Sequence, residues 1–130
     1  MYRTTTRKIE VTVEPSFMPD RSSATGGYFF WAYTIVIANR GEETVQLLKR
    51  HWIITDANGR EQNVRGEGVV GKQPVLKPGE QFEYTSGVPL TTSSGFMTGR
   101  YHMASASGEA FEIDVPTFSL DCPSPRRVLN

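Results

Sequence analysis

A chain of 130 residues is long enough for one domain around one core, and its 14 basic residues balance 14 acidic ones. That balance removes the general electrostatic case for nucleic acid or an anionic membrane surface, because a phosphate backbone is held chiefly by an excess of Lys and Arg. The single cysteine, Cys122, excludes an intramolecular disulfide framework, and no apolar run approaches the ~18–20 residues of a membrane span. Met1-Tyr2-Arg3 leads into polar threonines rather than an apolar leader, so the expected location is cytoplasmic.

Ile9, Val11 and Val13 alternate with Lys8, Glu10, Thr12 and Glu14, the two-residue period of a half-buried strand, which Pro15 is expected to end. Residues 16–27 hold Pro19, Asp20, Ser22, Ser23, Gly26 and Gly27 and read as a long loop whose Phe17 and Met18 tuck back onto the body. Tyr28 to Ala38 is aromatic and β-branched throughout, which favours a pleated strand, and its two apolar faces place it centrally. Phe29, Trp31, Tyr33, Ile35 and Ile37 share one face. Val45 to Asp56 is the next long strand, closed by the Asn58-Gly59 reversal, and Glu61 to Arg65 is a short strand after it.

Strand patterns resume at Phe82–Val88, Gly95–Ala104 and Ala110–Phe118, making about seven in all, with no helical period of ten residues anywhere. The expected fold is therefore all-β, a fibronectin type III/immunoglobulin-like antiparallel sandwich over residues 1–120, with 121–130 an extended or disordered tail; a closed barrel is the alternative. Leu76-x-Pro78-Gly79-x-x-Phe82 resembles the turn that carries the tyrosine corner of fibronectin type III domains. Phe82 lacks the hydroxyl of that tyrosine, which leaves Tyr84 as the nearby candidate to supply the bond.

Between the fourth and fifth of these strands lies Arg65-Gly66-Glu67-Gly68-Val69-Val70-Gly71-Lys72-Gln73-Pro74, which satisfies G-x-G-x-x-G at Gly66, Gly68 and Gly71. Dinucleotide binding on that pattern requires a helix opening directly after it, and Pro74 and Pro78-Gly79 deny one. Gln73 lacks the hydroxyl of a P-loop. What remains is an anion nest of consecutive backbone amides assisted by Lys72, set against glycines that simply let the chain cross the sheet edge while Val69 and Val70 cover the core.

Other chemistry is sparse. His51, His102 and Cys122 show no metal-ligand spacing, so no metal or other cofactor is expected, although the two histidines lie in strands and divalent-ion sensing is the third reading. No G-x-S-x-G elbow is present and Ser93-Ser94-Gly95 is turn chemistry, so no catalytic residue and no enzymatic activity are expected. Tyr28 and Phe30 point opposite to Phe29 and Trp31, which makes them either additional core or outer-face anchors for a partner.

Gly-Glu-Gly-Val-Val-Gly-Lys-Gln-Pro at 66–74, Pro-Gly-Glu at 78–80, Tyr-Thr-Ser-Gly at 84–87 and Gly-x-Met-x-Gly-x-Tyr at 95–101 together resemble the bacterial ApaG family, also called CorD, over nearly the whole chain. The resemblance implies a fibronectin type III-like sandwich and a small cytosolic protein with no catalytic activity. Its gene would commonly neighbour that of a diadenosine tetraphosphate hydrolase, and it would be linked to cobalt tolerance and magnesium efflux. Related domains in F-box proteins and a DNA polymerase delta interacting protein look like protein-interaction modules. The resemblance also suggests pyrophosphate or nucleotide binding at Gly66, Gly68 and Gly71. The expected function is thus a non-enzymatic module that binds a protein partner, a homodimeric second copy included, with binding of a phosphate-rich small molecule through residues 66–72 as the alternative.

Overall fold

The computed structural model describes residues 1–123 and is all-β, with one 3-10 turn at Pro19–Arg21. Its strands are β1 (Tyr2–Thr6), β2 (Ile9–Phe17), β3 (Phe29–Asn39), β4 (Val45–Asp56), β5 (Glu61–Glu67), β6 (Val75–Leu76), β7 (Gln81–Leu90), β8 (Ser94–Ser105) and β9 (Ala110–Asp121). One sheet runs β1-β2-β3-β7 and the other β5-β4-β8-β9, with β6 paired to the start of β4. Setting aside β1 and the two-residue β6 leaves seven strands, three in one sheet and four in the other, as the sequence predicts. The expected tail begins one residue late, since Asp121 closes β9; residues 124–130 lie outside the described residues.

Two local expectations change, and one strand is added. Pro15 does not end β2, because β1 pairs only as far as Val13 and leaves Pro15 on an edge that needs no N–H there. Phe17 accordingly continues the strand and packs edge-on against Trp31 at 5.5 Å. The polar Tyr2–Thr6 segment, which shows no strong alternation of hydrophobicity, is a strand because β2 and β9 give it partners.

β3 is central, as its two apolar faces require. Trp31, Tyr33, Ile35 and Ile37 are buried between the sheets with Leu47, Trp52, Tyr101, Ile113 and Phe118. The Tyr84 and Tyr101 hydroxyls join the two sheets through a buried hydrogen bond of 2.6 Å. Tyr84 therefore bonds a side chain of the other sheet rather than the nearby backbone that a tyrosine corner would use. Asn39 pins that region instead: its Nδ2 donates to the Glu43 and Leu76 carbonyls at 2.8 and 2.9 Å, and its Oδ1 accepts from the Gly41 N–H.

The sandwich is fastened along one side. The Tyr2 hydroxyl donates to Ser119 Oγ at 3.2 Å, the Asp114 N–H donates to Thr6 Oγ1, and Arg7 grips Glu109 with two N–H groups while lying 4.2 Å over the Phe111 ring. On the other side β7 and β5 are the outermost strands of their sheets, and a cavity of about 250 Å³ opens between them.

The buried tyrosine pair gives a direct test. Tyr84→Phe or Tyr101→Phe alone leaves one buried hydroxyl without its partner and should cost ~1–3 kcal/mol by chemical denaturation, while the double variant costs less than the sum. Burial raises both phenols above their ordinary value of 10.0. The folded state therefore keeps protons that the unfolded chain releases, so this contribution is complete below that pH and is lost as pH rises above it. The double phenylalanine variant should show a shallower alkaline loss of stability.

Candidate functional site

The glycine stretch resolves into three different local structures. Gly66 is a residue of β5, opposite Arg50 of β4, and the guanidinium lies flat against it: a Cβ at this position would come within 2.7 Å of Nη2 and 2.8 Å of Cζ. Arg50 Nη1 donates onward to the carbonyls of Glu67 at 3.1 Å and Gly68 at 2.9 Å. Gly68 has φ +65°, and a side chain there would collide with the Lys72 carbonyl. Beyond it Val69 and Lys72 exchange backbone hydrogen bonds of 2.8 and 2.9 Å around Val70 (φ 43°) and Gly71 (φ 78°). Positive φ at both central residues is the type I′ hairpin turn.

This arrangement determines which amides remain for an anion. The Gly68 N–H donates to Leu48, and those of Val69 and Lys72 donate to each other's carbonyls. Among the described residues in the turn, Val70 and Gly71 are the ones whose amides donate to no backbone acceptor. Gly66, Gly68, Gly71 and Lys72 thus do not present a converging row of unspent N–H groups. Val69 is buried as expected, whereas Val70 is 52% exposed at the turn tip and does not cover the core. A β-branched residue in the left-handed region is uncommon, since Cβ crowds its own backbone there.

Tyr28 and Phe30 do come together on the outer face of the first sheet. Their rings stack 6.5 Å apart at 19°, and the Arg21 guanidinium sits 4.5 Å over Phe30. The segment before β3 fixes this cluster: Ser22 Oγ accepts the Phe30 N–H at 2.9 Å and donates to the Met18 carbonyl, while Ser23 and Tyr28 pair as a bridge. Phe30 lies across Gly87 of β7 and fills the space a side chain would take. Tyr28 remains 44% exposed and leans over a cleft of about 420 Å³ with Pro89, Leu90, Ile54 and Gln62. That cleft continues into the cavity between β5 and β7 through Ile54, Gln62 and Pro89.

The histidines are held separately. His51 Nε2 lies 2.9 Å from Asn63 Oδ1, and His102 Nδ1 lies 3.1 Å from Glu112. Among the described residues no three His, Cys, Asp or Glu side chains group to hold a metal, and no helix is long and apolar enough to cross a membrane. Arg50 is the residue whose importance the sequence reading missed. A register shift between Leu47 and Lys49 reverses the phase of β4, so that Arg50 joins Trp52 on the inner side, whereas strict alternation from Val45 and Leu47 places it outside. The available signal was Arg50 standing two residues before Trp52 and four before Ile54, on the same alternation as those apolar residues.

Comparison with known proteins adds a family. The ApaG domain model matches residues 19–105. The chain is 73% identical to Protein ApaG of Bradyrhizobium diazoefficiens and 68% identical to Protein ApaG of Rhodopseudomonas palustris, each over 130 residues and the full length of both chains. Among solved structures, a Bordetella pertussis protein named ApaA superimposes with a TM-score of 0.86 at 47% identity, covering 88% of this chain and 94% of that one.

Two substitutions test the turn. Val70→Asn places the favoured Asn-Gly pair in a type I′ turn and should raise stability by ~0.5–1 kcal/mol, part of the ~1–2 kcal/mol that the left-handed region costs an ordinary residue. Gly68→Ala should lower stability by at least ~1 kcal/mol, because both its φ and its space exclude a methyl group. Urea denaturation of each variant measures both.

Proposed function

The chain belongs to the ApaG family, and on that premise we propose that it is a non-enzymatic module that binds another protein through the Tyr28/Phe30 platform and the adjoining open edge between β5 and β7. The observation that carries this reading is the stacked pair itself. Tyr28 and Phe30 stand outside the core, held rigidly by the Ser22 and Ser23 bonds and capped by Arg21. Ordered aromatics with an arginine beside them are the composition of interface anchors, and holding them in place before contact lowers the entropy lost on binding.

In this reading any role in cobalt tolerance or magnesium efflux is exercised in the cytoplasm through the partner. The separate engagement of His51 by Asn63 and His102 by Glu112 supports an indirect route over direct ion capture. The phosphate alternative has less support, because the Gly68, Val69 and Lys72 amides are already engaged.

Affinity capture from native lysate with the wild-type chain, Tyr28→Ala and Arg21→Ala tests the proposal. A partner retained by wild type and reduced at least ~10-fold by Tyr28→Ala is expected, in line with the loss of one interface anchor; capture of no protein, or capture indifferent to Tyr28, contradicts it. Titration of the labelled chain with pyrophosphate should leave the 66–73 amide resonances unmoved, and saturable shifts there would establish the phosphate reading in its place.

A further inference from the structure

We propose that the open edge between β5 and β7 receives an extended peptide segment bearing an aspartate or glutamate, which adds as a strand to β7 and sets its carboxylate on Arg50. The inference deepens the interaction-module reading and rests on it. It begins with the charge in the cavity. The space of about 250 Å³ is lined by Tyr33, Trp52, Val64, Ser86 and Val88 around Arg50, which is the one formally charged residue among the described residues of its lining.

Arg50 is held but not neutralised. Its Nη1 is spent on the Glu67 and Gly68 carbonyls, while Nε and Nη2 have no hydrogen-bond partner and no carboxylate within ion-pair distance among the described residues. No buried side-chain nitrogen or oxygen among those residues lacks a partner, so the two remaining donors keep some solvent-accessible surface. A planar guanidinium with two unspent N–H directions, fixed against Gly66 and walled by aromatic rings, matches a carboxylate through paired hydrogen bonds.

The backbone argues for a strand as the carrier of that carboxylate. β7 is the last strand of its sheet, so its outer edge carries N–H and C=O groups with no neighbouring strand. Pro89 blunts this edge only near its end, leaving Gln81–Val88 able to pair. Inward-facing side chains of an added strand recur every ~6.6–6.8 Å. With an acidic side chain on Arg50, the next inward position falls towards the cleft of about 420 Å³ beside Ile54, Pro89 and Leu90, which suits an aliphatic residue. The segment predicted therefore carries an aliphatic residue two positions from the acidic one, before or after it according to the direction in which the strand adds, in an extended conformation.

The test uses the complete labelled chain and two capped peptides, acetyl-Lys-Thr-Val-Thr-Glu-Thr-Val-Lys-amide and the same sequence with Gln for Glu, followed by NMR. The glutamate peptide should shift the amides of β7 and the Arg50 Nε–Hε resonance and bind at least ~10-fold more tightly than the glutamine peptide, as expected of a charge-assisted pair. Arg50→Gln should abolish that preference; should the variant fail to fold, the wild-type Nε–Hε shift still decides. Equal affinity for the two peptides, no shift with either, or acetate reproducing the Arg50 shift with β7 equally perturbed would overturn the proposal. If the peptides fail while Tyr28→Ala still releases a captured partner, the groove inference alone falls.

Discussion

The contact between the Arg50 guanidinium and Gly66 is the constraint on which the open side of this sandwich depends. A side chain at position 66 would occupy the place of the guanidinium, and without that seat Nη1 could not reach the carbonyls of Glu67 and Gly68. Those bonds fix how the chain leaves β5 and enters the tight turn at Val70-Gly71. The same contact holds a cation at the mouth of the cavity between the sheets, beside Tyr33 and Trp52. Its field favours ionisation of Tyr33, Tyr84 and Tyr101, but burial outweighs it at all three and holds their pKa values above the ordinary one.

The two sides of the sandwich are finished differently. Where β1 and β9 meet, hydroxyl bonds, a doubly bonded Arg7–Glu109 pair and the Phe111 ring close the gap. Where β5 and β7 end their sheets, no comparable set of side-chain bonds joins them among the described residues, and apolar surface from Trp52, Val64 and Val88 borders an open space. An edge strand with an apolar inner face is a hazard unless something covers it. In this protein Tyr28, stacked on Phe30, borders a cleft that runs on into the Arg50 cavity along that side. The partner proposed above would cover it.

Much of the fold was legible because β-branched and aromatic alternation is a strong signal. The limits of β4 agree with the structure to the residue, and β3 lies at the centre of its sheet as its two apolar faces require. β1 was illegible because nothing in Tyr2–Thr6 alternates in hydrophobicity; its pairing comes from β2 and contact with β9. Arg50 was illegible because the irregularity after Leu47 inverts which residues face inward. The glycine stretch was legible as a place but not as a structure. Pattern matching groups Gly66, Gly68 and Gly71 into one motif, yet one seats an arginine, one passes close to a carbonyl and one completes a turn. Gly99, in a later motif, is likewise small because the Trp52 ring lies over it.

The glycine stretch is a committed turn that seats Arg50 and leaves the neighbouring edge between β5 and β7 open. Residue-resolved amide hydrogen exchange on the free chain tests it most directly. Slow exchange at Gly68, Val69 and Lys72 with fast exchange at Val70 and Gly71 is the predicted pattern, since the first three amides donate to Leu48, Lys72 and Val69 carbonyls. Fast exchange at all five would mean that the turn does not hold its own backbone, and would contradict the account.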